Sequence, residues 1–401
     1  MKSVFLSIKI HLPVIYQKQH FSEINPDYKF FHVGLTQKHV RDVAKNNLIP
    51  FLTAVSNLSK KHGSGFRIGM SISGISVKML EEYAPDVIGQ IKQLSDIGCI
   101  DFFSEPWSHS ILPYFDRKEL VLQTNSHRKT IQSVFNKEPL AFVAHSPVQS
   151  NSFMKFVSDT GYQSVFTYSS HSTEKGWNLR VNGNNIHPKA VFYIHHVLSE
   201  KFQKISVSLD GESEAKALTP FLRFSRKHAS LVKPLVLFFD PLKKNLTNFK
   251  NWELVTSALL KKTGGSFYSL SDLADISNYF AVEHKFSNEM LSQFRLPNYW
   301  MKNTMQKEAF RQFQVIFELI RKGEHPYLTE AWNFLQDINN FFYMSDSFFI
   351  DVFAHEHFSP FRSPHEAFTN YMNAASRFWH MDRNNRKQQL MSTRFLFASS
   401  N

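Results

Sequence analysis

The chain of 401 residues has a single cysteine, Cys99. That excludes an intramolecular disulfide framework, a cysteine-based zinc site and a CxxC redox motif, and it suits a reducing compartment. Sixteen prolines and fourteen glycines fall without a period, so collagen-like and low-complexity classes are excluded. No apolar run is long enough to cross a bilayer. The first residues, Met1-Lys2 and then 3–10, have a faint leader-like look, but Lys9, His11 and Pro13 interrupt the run. It reads as a buried strand, and the chain as a cytoplasmic protein with no membrane association. No long basic block exists either. Lysine and arginine exceed aspartate and glutamate by 46 − 34 = 12, yet Lys60-Lys61, Lys243-Lys244 and Lys261-Lys262 stand as isolated pairs. Without a finger, RRM or P-loop pattern, the charge implies no nucleic-acid partner. A GxSxG elbow and an HxxxH-type ligand pair are absent as well, so neither serine-hydrolase chemistry nor a metal site is implied.

What is present is a large supply of core material. Hydrophobic residues make up 42% of the chain and charged residues 20%, and there are 40 phenylalanines, which predicts thick aromatic packing. Apolar runs rich in β-branched and aromatic residues recur at 4–10, 66–72, 100–103, 140–144, 164–167, 204–209 and 235–239. Their near-continuous hydrophobicity suits strands covered on both faces. Helical stripes lie between several of them. Val77, Leu80, Tyr83 and Ala84 lead into Val87, Ile91 and Leu94, Leu120, Ile131 and Val134 form another, and Phe153, Phe156 and Val157 a third. Strands alternating with helices predict a parallel sheet, and about seven strands suit a barrel. From about residue 286 the texture turns helical. Phe310, Phe313, Phe317 and Ile320 share a face, Trp332, Leu335 and Ile338 begin a second stripe, and Ser363-Pro364-His365-Glu366 opens a third through Ala367, Tyr371 and Ala374. The expectation is an α/β chain: a parallel sheet, open or closed into a barrel, over 1–285 and a helical domain over 286–401.

In parallel α/β folds the reacting groups collect at the C-terminal ends of strands. Those ends supply His11, Ser73, then Glu105, Trp107 and His109, then His145 and Ser146, Tyr168 with His171 beyond, and Asp240. Each also has a plain structural use. A histidine there can simply cap a loop, Trp107 and Trp177 can be core, and Asp240 before Pro241 can start a turn. Together they offer two carboxylates, several imidazoles and two tryptophans, a set that can bind a polyhydroxylated ligand.

The motifs follow a known order. His11-Leu12-Pro13 resembles the His-Gln-Pro start of glycoside hydrolase family 57, the α-amylase-like group. Ser71-Ile72-Ser73-Gly74 with Glu82-Tyr83-Ala84-Pro85, and Glu105-Pro106-Trp107-Ser108-His109-Ser110, continue the likeness. His357-Phe358-Ser359-Pro360-Phe361, Ser363-Pro364 and the stretch from Ala367 to Asn373 are similar to the family's C-terminal helical signature. The resemblance implies a distorted seven-stranded (β/α) barrel with a helical C-terminal domain, acting on α-glucan or maltooligosaccharide without a cofactor or metal. It also implies a retaining mechanism, with one carboxylate as nucleophile and a second as acid and base.

Carried over residue by residue, that machinery is incomplete. Ser146 stands where the family has its nucleophilic Glu, in Phe142-Val143-Ala144-His145-Ser146-Pro147. Asp240, ending Leu237-Phe238-Phe239-Asp240, keeps the general-acid position, while Lys78 and Leu12 replace a Glu and the first motif's Gln. Losing a covalent nucleophile costs roughly a factor of 10⁶ in kcat, on the order of 8 kcal/mol. The expectation is therefore a degenerate member that keeps His11, Glu105, Trp107, His109 and Trp177 for the sugar. It would bind or regulate α-glucan metabolism, through a protein partner in glycogen metabolism. The alternative is an active hydrolase or glucanotransferase with Glu105 as relocated nucleophile and Asp240 as acid. A third reading, an interaction protein without sugar affinity, calls for a site filled by Leu12, Lys78 and Leu242. The excess positive charge leaves an anionic ligand, such as a phosphorylated sugar, open.

Overall fold

The computed structural model describes residues 4–16, 31–110, 116–144, 157–168 apart from 158 and 163, 178–179, 190–207, 211–228, 234–273 apart from 244, 245 and 247, 301–322, 328–346 and 361–378. Two compact units make up the chain: Met1–Leu12 with Gln37–Leu296, and Pro13–Thr36 with Pro297–Asn401.

The first unit is a closed barrel. Its strands are β1 (Val4–Ile10), β2 (Ile68–Ile72), β3 (Ile100–Ser104), β4 (Ala141–Val143), β5 (Ser164–Tyr168), β7 (Ala190–Ile194) and β8 (Leu235–Phe239). These seven run parallel, each paired with the next, and β8 closes the circle on β1 with Ile8 opposite both Met70 and Phe239. The two-residue β6 (Asn178–Leu179) adds to β7 in the antiparallel sense. Parallel pairing needs crossovers, and helices supply them.

Six of the expected runs mark true strands. The run at 204–209 does not: residues up to Val207 lie in helix α6 (His196–Val207), and the strand of that crossover is β7. The reason is periodicity. Leu198, Phe202 and Ile205 fall at helical spacing and all three are buried, so the apolar cluster is one face of a helix. Of the third stripe, only Val157 is described, and it is helical. The 77–94 stripe is two helices, α3 (Gly74–Tyr83) and α4 (Pro85–Asp96), divided where Pro85 opens the second one. The Leu120–Val134 stripe lies on α5 (Arg117–Phe135).

The barrel interior is layered. Gly69 lies under the rings of Phe5 and Phe103, and a Cβ there would come within 2.4 Å of Phe5 Cζ. Phe166 closes the layer, with ring centroids 5.2 Å from Phe5 and 4.8 Å from Phe103. Side chains alternate along a strand, so the inward parity that carries Phe5, Gly69 and Phe103 also carries Lys9, Ser71 and Glu105. A dry aromatic floor thus lies below a polar layer at the C-terminal mouth. Outside, α2 (Ile49–His62) packs on α8 (Lys250–Lys262), where the fully buried Trp252 meets Phe51 edge-on at 5.0 Å.

In the second unit, α9 (Thr304–Arg321) opens with a capping box between Asn303 and Gln306. Its buried face is Gln306, Ala309, Phe313, Ile316 and Leu319, whereas Phe310, Phe317 and Ile320 are half-buried. The buried face is therefore turned from the expected stripe by about a sixth of a turn, with Phe313 common to both. The second stripe is broken into α10 (Thr329–Leu335) and α11 (Asn339–Phe342). The third is a helix over 364–378, begun by the Ser363 hydroxyl accepting from Glu366 N–H at 3.1 Å. Tyr16 belongs to this unit. Its hydroxyl donates to the Phe334 carbonyl at 3.0 Å and accepts from Asn340 Nδ2 at 2.8 Å, and burial pushes its pKa well up. Nothing in the sequence pattern signals that 13–36 groups with residues 300 positions later.

Candidate functional site

The polar layer at the mouth of the barrel is a connected network. The Ser71 hydroxyl donates to Glu105 Oε1 at 2.5 Å, and His109 Nδ1 lies 3.2 Å from Glu105 Oε2. On the other edge of the imidazole, Lys9 Nζ lies 3.0 Å from His109 Nε2. An ammonium can only donate, so Nε2 is the acceptor and Nδ1 carries the proton toward Glu105. A neutral His109 thereby links a cation to a carboxylate. Glu105 is 0% exposed and both its oxygens are engaged, as a buried carboxylate requires. His109 also has φ at +53°, uncommon for a residue with a side chain, and its N–H closes a turn on the Pro106 carbonyl at 2.9 Å.

His11 stands beside this network, its ring stacked on that of His109 with centroids 4.1 Å apart. His11 Nδ1 is 2.8 Å from Ser73 Oγ, Ser73 Oγ is 2.8 Å from Ser76 Oγ, and Ser76 Oγ accepts from Leu12 N–H at 2.7 Å. Ser73 is also the N-cap of α3, accepting from Ser76 N–H, so the start of that helix orients the imidazole. His127, fully buried on α5, is 2.8 Å from the Ile72 carbonyl through Nε2. Burial pushes its pKa below the usual histidine value, against an opposing pull from Glu105.

Trp107 is half-buried. Its indole N–H donates to Thr130 Oγ1 at 3.0 Å, and its ring is pressed against Gly74, where a Cβ would come within 2.1 Å of Cδ1. Gly74 is thus required for close approach of the ring. Asp240 follows β8 and is used differently. Its N–H and carbonyl form a paired bond with the Gln203 side chain, each at 3.0 Å, and Oδ1 accepts from Leu242 N–H at 2.8 Å. That is the turn use of an aspartate. Ser146 and Trp177, with His145 and His171, lie outside the described residues.

The structure therefore brings Glu105, His109 and His11 into one group and anchors Trp107 close by on Gly74. It also adds Lys9, Ser76, His127 and Gln203, which the motif order does not mark, and gives a bond to Glu105 to Ser71, which a motif contains without singling it out. Lys9 did leave a signal, as the lone charge of its strand, at an inward position. As for a bound cation, both ring nitrogens of His109 already have protein partners, one of which an ion would have to displace.

Comparison with known proteins agrees with the motif order. The Glycosyl hydrolase family 57 profile matches residues 5–217, more than half of the chain. The chain belongs to this family. A Methanocaldococcus jannaschii protein named "Putative alpha-amylase" is 19% identical over 367 residues, 86% of this chain and 77% of that protein. Among solved structures, the family 57 branching enzyme of Thermococcus kodakaraensis has a TM-score of 0.60 at 13% identity, covering 95% of this chain and 90% of its own. The 4-alpha-glucanotransferase of Thermococcus litoralis has a TM-score of 0.50 at 12% identity, and this chain spans only 60% of its length. At such identities the structural likeness carries the family 57 barrel and no particular activity. Among the described residues, no helix is long and apolar enough to cross a membrane.

Proposed function

We propose that this family 57 chain is a cytoplasmic protein that binds α-glucan or maltooligosaccharide at the barrel mouth without cleaving it. It then regulates glucan metabolism through a partner. The observation that carries this reading is the state of the two retained carboxylates. Glu105 is sealed between Ser71 and His109, and Asp240 uses Oδ1 to close its own turn. A retaining glycosidase needs one carboxylate exposed to the anomeric carbon and a second about 5 Å across from it. Ser146 at the family's nucleophile position supports the same reading, because a serine ether of a sugar is an ordinary acetal with a poor leaving group. His11 and Trp107 supply what a binder needs, an imidazole for hydroxyl groups and an aromatic face for a sugar ring.

The test is calorimetric titration with maltoheptaose and glycogen, with reducing-sugar release followed on the same samples. Binding without release is expected, with binding weakened in Trp107→Ala. Release that disappears in Asp240→Asn would overturn the reading and favour a relocated nucleophile, Glu105 first. Neither binding nor release would also overturn it, leaving an interaction protein on an inherited fold.

A further inference from the structure

Two of the lysine pairs that stand 200 residues apart in sequence meet in space. Lys60 and Lys61 end α2, and Lys261 and Lys262 end α8. The two helix ends are tied together. His62 Nε2 lies 2.9 Å from Ser257 Oγ, and Phe267 N–H donates to the Gly65 carbonyl at 2.8 Å. All four lysines are exposed, and among the described residues none of them is paired with a carboxylate. Some cations elsewhere on the barrel do have partners, such as Arg117 with Asp159 and Lys137 with Asp96. The proximity of the two pairs registers on His62, whose pKa is lowered by partial burial and then by Lys61 and Lys261 together.

Helix ends alone do not account for this charge. A helix C-terminus carries roughly half a negative charge, so two of them offset about one of the four lysines. Roughly three positive charges remain concentrated on one small face. The main chain between the pairs is bare: a Cβ built on Gly63 or Gly265 would meet nothing within 4 Å. None of the exposed large hydrophobic side chains among the described residues falls within 59–66 or 260–266. The face therefore has no aromatic on which bases could stack and no apolar wedge for a bilayer. It sits just before β2, at the N-terminal end of the barrel strands, opposite the mouth that holds Glu105, His109 and Asp240. An occupant here leaves the mouth open.

We propose that this face docks an acidic polypeptide segment of a partner protein. The inference rests on the reading that the chain acts through a partner, and it specifies the surface and its chemistry. Paired lysines flanking bare glycine turns suit an extended Asp/Glu-rich strand, whose side chains reach the ammonium groups while its backbone lies over Gly63 and Gly265.

The experiment is fluorescence anisotropy of a labelled oligoglutamate peptide titrated with the full chain, at low and at physiological salt. The wild type should bind with strong salt dependence. The variant K60Q/K61Q/K261Q/K262Q should bind at least about tenfold more weakly. A second variant, K92Q/K118Q/K129Q/K204Q, removes the same net charge from exposed positions on other barrel helices and should bind nearly as the wild type does. Equal weakening by both variants would overturn the proposal, since attraction would then follow net charge alone. Failure of the wild type to bind would overturn it too. So would tighter binding of duplex DNA or of phosphatidylserine vesicles that is lost in the first variant, which would give the face to those ligands. Circular dichroism confirms that both variants fold. Maltoheptaose calorimetry on the same proteins separates the two readings: peptide binding without sugar binding would sink the glucan reading and leave this face standing, and the reverse result would do the opposite.

Discussion

The two carboxylates at the barrel mouth survive in the sequence side by side with the family's motifs, but they are held in different ways. Glu105 is part of a relay from Lys9 through His109 to a carboxylate that Ser71 also grips, and it has no exposed surface. Asp240 keeps 8% of its surface, and its backbone is clamped by Gln203 while its side chain closes a two-residue turn. One carboxylate holds the mouth together through long-range contacts and the other serves its own loop. The difference teaches that a place at a strand end does not by itself set how a carboxylate is held, since one is gripped from another strand and the other by its own turn.

The sharpest way to break this comparison is to remove each carboxylate in turn. Glu105→Ala strips the counter-charge from a buried network and should cost about 3–5 kcal/mol in urea unfolding. Gly74→Ala follows, because the new methyl cannot coexist with the Trp107 ring. It should cost about 1–3 kcal/mol by overpacking, with a shift in tryptophan emission and weaker maltoheptaose binding. Asp240→Ala loses the turn hydrogen bond to Leu242 N–H and should cost about 1 kcal/mol, less than Glu105→Ala. If it proved as damaging as Glu105→Ala, the contrast between the two corners would be gone.

The smallest effect is a pH dependence, to which His127 on the Glu105 side contributes. His127 is buried with its pKa lowered, first by burial, so the unfolded chain takes up a proton that the folded chain refuses. Its contribution to stability is complete above the ordinary histidine value and is lost as pH falls through the lowered one. His39, pushed down to about 4 by burial, has the same sign. The difference between wild type and His127→Gln in urea unfolding across mildly acidic pH isolates the His127 share, and the variant's curve should be flatter. A variant curve as steep as the wild type's would remove the titrating role from His127.

Much of the barrel was legible because strands covered on both faces leave continuous apolar runs, as 4–10 and 235–239 do. The 204–209 run misled because a short apolar cluster fits either period, and only the burial of Leu198, Phe202 and Ile205 on one face decides it. The site was legible in part. His11, Glu105 and His109 were marked by their place at strand ends, whereas Ser71, Ser76 and Gln203 are ordinary residues whose role exists only through a partner far along the chain.

The sequence by itself determined the family and the parallel strand and helix alternation, since both are written in the order and type of residues. Only the tertiary structure decided that Lys9 faces Glu105 through His109, that Asp240 closes a turn, and that Lys60-Lys61 meets Lys261-Lys262. The physical reason is the same for the first and the third. Charge interactions act over a few ångströms in space, and closing the barrel turns separations of about a hundred or two hundred residues into hydrogen-bond and screening distances.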